Sequence, residues 1–375
     1  MNHIPLIRPV ITQATRDRVL AVLESGYLTE GPVTRTLEDQ VARFTGARHA
    51  IAFPSCTVGL EIALRACGIG PGDEVIVPDY TYPATGAVVA IVGALPVVVD
   101  IDPSTLCLDY DAVEAAMTPK TRAIMPVSLF GNPLDYARLE AIRARFPGLR
   151  ILEDAACSLG ASQGGRMVGT FGDAAVFSLH PRKCITTGEG GLLTTDNDNL
   201  AAWINAYKHF GLTTPQGSRE GASFTLMGTN AKLSDILAAV GVSQMEIVED
   251  LLRRRRELAA RYRELLAHMP GVRFPSEPAN SQHSYQTFCV FVDRRDQVMA
   301  TLRAQGIEAQ IGTYALHRQP AFQDPARCRL VGDLAASASA ADHCLALPLF
   351  HDMTDNQQHT VVKALGAALR LPDQA

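Results

Sequence analysis

A lysine in a loop rich in small residues is the side chain of this sequence that most suggests a reactive amine. Lys183 follows Ser178 and His180, and the stretch TTGEGG (186–191) comes shortly after it. A desolvated lysine is a nucleophile toward carbonyl carbon. A single lysine is also commonly a surface charge, and this segment alone leaves both interpretations open.

Three further segments place polar or aromatic side chains directly after an apolar run. ILEDAA (151–156) carries an acidic pair, FPSCT (53–57) opens a helical pattern, and PDYTY (78–82) is rich in aromatic rings. The N–H groups at a helix start suit a phosphate. Each segment also has a plain alternative: a solvated carboxylate, an ordinary helix cap, or aromatic rings of the core or rim. Taken together, the four segments supply an amine, a carboxylate, a phosphate cradle and a flat ring. Those are the parts an enzyme needs to use pyridoxal phosphate as an electron sink.

The elements that must position these segments alternate between strand and helix. Strands are predicted at 75–77, 95–99, 123–127, 149–152, 174–177 and 191–194, with helices near 84–93, 110–117 and 134–145. This alternation predicts an α/β fold whose mostly parallel sheet is covered by helices on both faces. Ligands of such sheets bind at the carboxyl ends of the strands, so we expect the four segments to meet there.

The character of the sequence changes after residue 231. Helical patterns at 233–241, 244–268, 297–305 and 354–369 flank one strand candidate at 285–292. We therefore predict a large domain at 1–245 and a smaller C-terminal α+β domain at 246–375. The run RRRR (253–256) lies among leucines, and its pattern predicts a solvated helix face.

Composition excludes several function classes. The 375 residues are 47% hydrophobic and 19% charged, which supports a sizeable core. The net charge of -5 provides no excess of positive charge for binding a nucleic-acid backbone. The eight cysteines form no C-x-x-C pair, so we expect neither a metal site nor a disulfide framework. No signal peptide and no apolar stretch of about 20 residues is present, which favours a cytoplasmic enzyme without membrane contact.

The sequence resembles the DegT/DnrJ/StrS-type sugar aminotransferases, a branch of the fold-type I pyridoxal-phosphate enzymes. The most specific pieces are EDAACSLGA (153–161) and FSLHPRKCITTGEGG (177–191). GIGPGDEVIVP (68–78) and the turn GTN (228–230) before LSDILAAVG support them. The similarity runs from GYLTEGP (26–32) to LPLF (347–350), which is nearly the whole chain.

The resemblance implies a role for each matching position. Lys183 matches the lysine that forms the internal aldimine with pyridoxal phosphate, and Asp154 matches the carboxylate that pairs with its pyridine nitrogen. The positions that match phosphate contacts are Cys56, Thr57 and Ser178, and Tyr82 matches a ring that stacks on the cofactor. Asn230 matches a residue that reaches the cofactor phosphate of the neighbouring subunit, which implies a homodimer with shared active sites.

The resemblance also implies a reaction. An amino acid, in this family commonly glutamate, would give its amino group to a keto sugar, most often a nucleotide-linked one, and the cofactor would alternate between its pyridoxal and pyridoxamine forms. Related enzymes aminate cyclitol ketones, so that acceptor class stays open. The candidate substrate contacts are Thr29, His180, Tyr314, His317 and Arg318.

One position departs from the family pattern. Many members carry Gln three residues after the aspartate, where it can contact the phenolic oxygen of the cofactor, whereas this chain has Cys157, a weak hydrogen-bonding group.

Dehydration or oxidation of a sugar on the same scaffold is an alternative reaction. The presence of Lys183 favours transamination over the dehydratases that carry His there. The intact pair of Lys183 and Asp154 counts against a ligand sensor without turnover. A nicotinamide-dependent dehydrogenase is disfavoured because the glycines at 68, 70 and 72 precede a strand instead of following one.

Overall fold

The structure is a computed structural model that describes residues 3–213 and 221–370. Its helices are α1 (Gln13–Ser25), α2 (Pro32–Thr45), α3 (Cys56–Ala66), α4 (Ala84–Ile91), α5 (Tyr110–Ala116), α6 (Tyr136–Arg145), α7 (Asp198–Lys208), α8 (Asp235–Met245), α9 (Val248–Leu266), α10 (Arg295–Ala304), α11 (Ala335–His343) and α12 (Asp355–Leu369). Its strands are β1 (His49–Phe53), β2 (Glu74–Pro78), β3 (Tyr80–Thr81), β4 (Leu95–Val99), β5 (Thr121–Ile124), β6 (Arg150–Asp154), β7 (Ser162–Gln163), β8 (Arg166–Met167), β9 (Ala174–Ser178), β10 (Gly191–Thr195), β11 (Val272–Arg273), β12 (Ser281–Gln282), β13 (Phe288–Val292), β14 (Gln310–Ile311), β15 (Tyr314–Ala315), β16 (Arg329–Leu330) and β17 (Cys344–Leu347).

An eight-stranded sheet dominates the fold, in the order β1-β10-β9-β6-β5-β2-β4-β16. Strand β10 is antiparallel to both of its neighbours, and the remaining pairs are parallel. Its central strands are buried on both faces, as expected for a sheet between two layers of helices. The predicted α/β class with a mostly parallel sheet is confirmed.

The strand directions bring the predicted chemical segments to one edge of this sheet. Strand β1 is antiparallel to β10, which is antiparallel to β9, so β1 and β9 run the same way as β6 and β2. Cys56 follows β1, Asp154 ends β6, and Ser178 ends β9. These residues therefore share the carboxyl edge of the sheet.

A second, four-stranded sheet forms in the C-terminal part of the chain. Its order is β11-β13-β17-β14, all pairs are antiparallel, and residues of α9, α10 and α12 share a buried apolar cluster with it. The chain nevertheless returns to the large sheet, because the short strand β16 lies parallel to β4. The domain division at residue 245 falls between α8 and α9 and stays a prediction.

The prediction of a solvated arginine run is wrong for most of its residues. Arg253 is exposed, but Arg254 and Arg256 are half-buried and Arg255 is buried. The three inward guanidinium groups donate to backbone carbonyl oxygens, which belong to Gly160, His283, Gln286, Leu349, His351 and Met353. The reason is that irregular segments beside α9 carry carbonyl groups that no strand pairs, and these need donors.

Two features of the described residues bear on the function classes that the composition disfavours. None of the helices in 3–213 and 221–370 is long and apolar enough to cross a membrane. Within the same ranges, no group of three or more His, Cys, Asp or Glu side chains is arranged to hold a metal ion.

Candidate active site

A cavity of about 600 Å³ lies at the carboxyl edge of the large sheet. It collects most of the residues predicted from the sequence, and those that line it are Cys56, Thr57, Tyr82, Asp154, Cys157, Ser178, His180 and Lys183. Four distant segments of the chain thus form one site. The remaining wall comes from the C-terminal part, through residues such as Gln286, Gln310 and Thr313.

The N-terminus of α3 forms one end of this cavity. Ser55 caps the helix by accepting from the N–H of Val58 at 3.2 Å, so the helix-cap interpretation holds for that residue. The N–H groups of Cys56 and Thr57 lie in the first turn, where no helix carbonyl can pair with them. Gly191 lets β10 approach this turn, since a Cβ there would lie 2.5 Å from the nitrogen of Cys56. The arrangement suits an anion such as a phosphate.

Asp154 is a buried charged residue that lines the cavity. Its side chain is only 5% exposed, and it accepts from Thr85 Oγ1 at 2.8 Å and from the Ala156 N–H at 3.2 Å. Burial raises the pKa of Asp154 above its ordinary value, while the Thr85 hydroxyl, the Ala156 N–H and nearby Lys183 act in the opposite direction. A buried carboxylate held in this way favours a cationic partner, such as a protonated ring nitrogen.

Lys183 faces the cavity from the loop after β9. Its Nζ donates to the sulfur of Cys157 at 3.1 Å. Burial lowers the pKa of Lys183, but the neighbouring Cys157, Cys56 and Asp154 outweigh it and leave the pKa above its ordinary value. The backbone of the loop is fixed by the Lys183 N–H, which donates to the His180 carbonyl at 2.8 Å. A buried amine and a buried carboxylate therefore face the same space.

Tyr82 supplies the flat ring predicted for the site. Its side chain is 65% exposed although it lines the cavity, so one face of the ring is available to a ligand. Tyr314 meets it edge to face, with ring centroids 6.2 Å apart. Strand β15 pairs with β3 beside it, which explains how a residue so distant in sequence comes to lie next to Tyr82.

Five predicted site residues do not line the cavity: Thr29, Asn230, Tyr314, His317 and Arg318. The ring of His317 pairs with Asp79 at 2.6 Å, and the guanidinium of Arg318 pairs with Asp342 at 2.9 Å. Asn230 is exposed. The roles of all five stay predictions.

Several residues of the site were not predicted from the sequence. Thr85 was missed although its position, one turn after Tyr82 at the start of α4, offered a signal. Gln286, Thr287 and Gln310 gave no local signal, because they reach the cavity only through the packing of the C-terminal part onto the large sheet.

The donor set of the cavity fits the cofactor that the sequence suggested. First-turn N–H groups suit its phosphate, Asp154 suits its ring nitrogen, Tyr82 offers a face for its ring, and the amine of Lys183 can bond to its aldehyde carbon. A Cβ at position 191 would fill the space beside the first turn of α3, so Gly191 keeps this candidate phosphate site open.

Comparison with known proteins gives an independent assignment. The model of the DegT/DnrJ/EryC1/StrS aminotransferase family matches residues 9–366. Among solved structures, DesI in the presence of its TDP-sugar product is 34% identical, with 99% of this chain and 94% of that one covered and a TM-score of 0.89. DesV of S. venezuelae, in complex with a ketimine intermediate, is 32% identical over 100% of both chains, with a TM-score of 0.90. A Streptococcus pneumoniae protein solved in its PLP form is 28% identical over 98% of both chains, with a TM-score of 0.90.

Proposed function

Since this chain belongs to the DegT/DnrJ/EryC1/StrS aminotransferase family, whose members use pyridoxal phosphate to aminate sugars, we propose that it transfers an amino group from glutamate to the ketone of a nucleotide-linked sugar. One observation carries the proposal: a single cavity unites the amine of Lys183, the buried carboxylate of Asp154 and the N-terminus of α3. The family match supports the cofactor and the type of reaction, and the cavity supports the residues assigned to it.

The assigned residues divide the task of holding the cofactor. Pyridoxal phosphate, when bound, supplies an electron sink that stabilises negative charge at the substrate carbon beside nitrogen. We assign the phosphate to the first-turn N–H groups of Cys56 and Thr57, together with the hydroxyl of Ser178. Tyr82 is assigned to stack on the ring. Asp154 would pair with the ring nitrogen and keep it protonated, which makes the sink stronger.

Lys183 is assigned two tasks at its Nζ. It would attach the cofactor covalently in the resting enzyme, and as a free amine during turnover it would take the proton from the donor's Cα. Such a base needs to lie within hydrogen-bond reach of that proton and to be shielded from bulk water. The position of Nζ beside Cys157, inside the cavity, is compatible with both needs.

The acceptor is assigned by similarity and by the shape of the site. DesI, at 34% identity, was solved in the presence of a TDP-sugar product. The exposed ring of Tyr82 lines the cavity, which suits a substrate with a bulky, solvent-exposed part. His180 lines the cavity, and we keep Thr29, Tyr314, His317 and Arg318 as proposed contacts of the part that extends beyond it.

We further propose a homodimer in which each copy completes its neighbour's site. Large apolar side chains are exposed in two segments, with Tyr27 at 75%, Phe210 at 52%, Phe224 at 61% and Met227 at 100%. An ion pair between His209 and Glu30 at 3.0 Å ties these segments together. Apolar surface of this kind favours association. Asn230, in the same region and outside its own cavity, would then reach the cofactor phosphate of the second copy.

Mixing inactive variants tests the shared sites. Lys183→Ala and Asn230→Ala homodimers should each be impaired, and subunit exchange should restore activity, because each mixed dimer then holds one intact site. No recovery after verified exchange would contradict this assembly.

A product assay tests the reaction and the acceptor class. The enzyme should be incubated with glutamate and a panel of nucleotide-linked keto sugars and inososes. Transamination must yield 2-oxoglutarate and amino product in equal amounts, with turnover on nucleotide-linked acceptors. Turnover of inososes alone would refute the nucleotide-sugar assignment, and keto acid without amino product would refute transamination.

A further inference from the structure

Arg255 is a buried cation without an anionic partner. Its side chain lies in the middle of α9 and the residue is 4% exposed. Within the described residues it forms no ion pair, and its donors reach the carbonyl oxygens of Gln286 at 2.9 Å and Leu349 at 3.4 Å. Burial accordingly lowers its pKa. Its burial carries a desolvation cost, which the hydrogen bonds to these otherwise unpaired carbonyl groups offset.

Gln286 continues the contact from Arg255 toward the reactive amine. Its backbone carbonyl accepts from Arg255, while its side-chain Nε2 donates to the carbonyl of Arg182 at 2.7 Å. Arg182 directly precedes Lys183 in the chain. The side-chain Oε1 of Gln286 accepts from Thr287 Oγ1 at 2.8 Å, so the side-chain amide is held in a single orientation.

These contacts link α9 to the loop after β9 through two hydrogen bonds. We propose that Arg255 and Gln286 are positioning residues for Lys183, an inference that rests on the proposed role of Lys183 as the residue that carries the cofactor. Arg255 fixes the backbone of Gln286, and Gln286 in turn fixes the carbonyl of Arg182. The loop is thereby held so that Nζ of Lys183 points into the cavity.

The chain offers a matched control in the same arginine run. Arg253 is exposed, and its ion-pair partners among the described residues are Asp250 and Glu257 on its own helix. Arg255→Met removes the buried donor and keeps most of its volume, whereas Arg253→Met removes a surface charge. Gln286→Leu removes the amide at the other end of the link. Arg255→Met also leaves the carbonyl groups of Gln286 and Leu349 without this donor, so a lower melting temperature is expected in either case. A purely structural role predicts that loss alone, whereas a positioning role predicts in addition a misplaced lysine at temperatures where the variant is fully folded.

The test measures two properties of purified full-length variants. The first is hydrogen exchange of residues 180–187 in the cofactor-free protein, and the second is the rate at which added pyridoxal phosphate develops its lysine-bound absorption band. We expect Arg255→Met and Gln286→Leu each to speed exchange in this loop and to slow attachment by about tenfold, the effect of one lost hydrogen bond. The double variant should lose little more than either single one, because both act through the same link. Arg253→Met should match the wild type.

The outcomes separate this inference from the proposed function. Wild-type exchange and attachment in both Arg255→Met and Gln286→Leu would overturn the positioning role. If Arg255→Met fails to fold, Gln286→Leu alone decides, and normal behaviour of that variant overturns the role. If wild type and Arg253→Met bind no cofactor, the proposed function is what fails. The exchange measurement then still reports whether Arg255 and Gln286 hold the loop.

Discussion

The amine of Lys183 and the thiol of Cys157 are in direct contact, with 3.1 Å between Nζ and Sγ. Many relatives carry an amide at the position of Cys157, which by resemblance would contact the cofactor, but the sulfur of this chain contacts the lysine. Cys157 is also the neighbour that raises the pKa of Lys183 most, against the lowering effect of burial. Cys157 thus influences the protonation of the reactive amine, in addition to any contact with the cofactor that the resemblance implies for this position.

Removing this sulfur should change the protonation of the lysine. In Cys157→Ala we expect the pKa of Lys183 to fall, because burial then acts with fewer groups opposing it. The measurement is the pH dependence of reductive methylation of Lys183 in cofactor-free protein, followed by peptide mass analysis. Its midpoint should move to lower pH in Cys157→Ala and return toward the wild-type value in Cys157→Ser, whose hydroxyl can accept the same N–H. Equal midpoints in all three proteins would show that the contact has no influence on the amine.

Replacing Asp154 by Asn should separate cofactor binding from turnover. In Asp154 the Ala156 N–H and the Thr85 hydroxyl bond different carboxylate oxygens; in Asn the amide oxygen can keep the bond from the Ala156 N–H and the amide NH2 can donate to the Thr85 hydroxyl, so the fold and the attachment of the cofactor should survive. The negative charge opposite the ring nitrogen is lost, and we expect turnover to fall by on the order of a hundredfold or more. Absorption spectra and steady-state rates of the same preparation provide the test. Near-normal turnover with a normal spectrum would remove Asp154 from its assigned role.

A methyl group at Gly191 should damage the phosphate cradle. The Cβ would lie 2.5 Å from the nitrogen of Cys56 and from the carbonyl carbon of Ser55, so β10 and the first turn of α3 must separate. We expect Gly191→Ala to weaken binding of pyridoxal phosphate by about tenfold or more, measured by spectral titration. Gly70→Ala is the control, because its Cβ meets only the Val92 carbonyl at an ordinary 3.7 Å. Equal affinities of the two variants would show that the close approach at Gly191 does not shape the cradle.

Glu153 should make the stability of the protein depend on pH. Burial raises the pKa of Glu153 from 4.5 to about 7, although hydrogen bonds from Ser128 and Tyr136 act against the shift. The folded state therefore binds the proton more tightly than the unfolded chain. The stability this group contributes is complete below pH 4.5 and is lost as the pH rises through about 7.

Glu153→Gln isolates that contribution, since a neutral amide cannot ionise. The unfolding free energy of the variant minus that of the wild type should increase from pH 4.5 to pH 8 by on the order of 3 kcal/mol. Denaturant titrations at a series of pH values measure this difference, and contributions of other groups such as His283 cancel in it. A difference that stays constant with pH would mean that Glu153 ionises normally in the folded protein.

The large sheet and the core of the site were predictable because their signals are local. Apolar runs such as 95–99 indicate buried strands. The residues that follow parallel strands lie at the carboxyl edge of the sheet, however the helices pack against it. Asp154 and Lys183 are both in such places, so their proximity followed from the strand order. Helices α1, α2 and α7 gave weaker patterns and were not singled out.

The remaining features depend on contacts between distant parts of the chain. Strand β10 is antiparallel because the loop of residues 179–190 turns the chain back onto β9, and an apolar run does not reveal its own direction. The sequence predicts a solvated arginine run because charged side chains on a helix are usually exposed. In the structure, three of the four guanidinium groups instead donate to backbone carbonyl groups, most of which lie in the C-terminal part of the chain. Likewise, nothing near Gln286 in sequence indicates that its amide meets the backbone before Lys183.

The absorption spectrum of the purified protein, before and after addition of glutamate, tests the central claim most directly. With pyridoxal phosphate we expect a near-ultraviolet or visible band that borohydride fixes to Lys183, as peptide mapping would show, and that glutamate converts to the pyridoxamine form. Lys183→Ala should show no fixation and no turnover. A protein that gives no cofactor band after addition of pyridoxal phosphate, or that fixes it to another residue, would contradict the account.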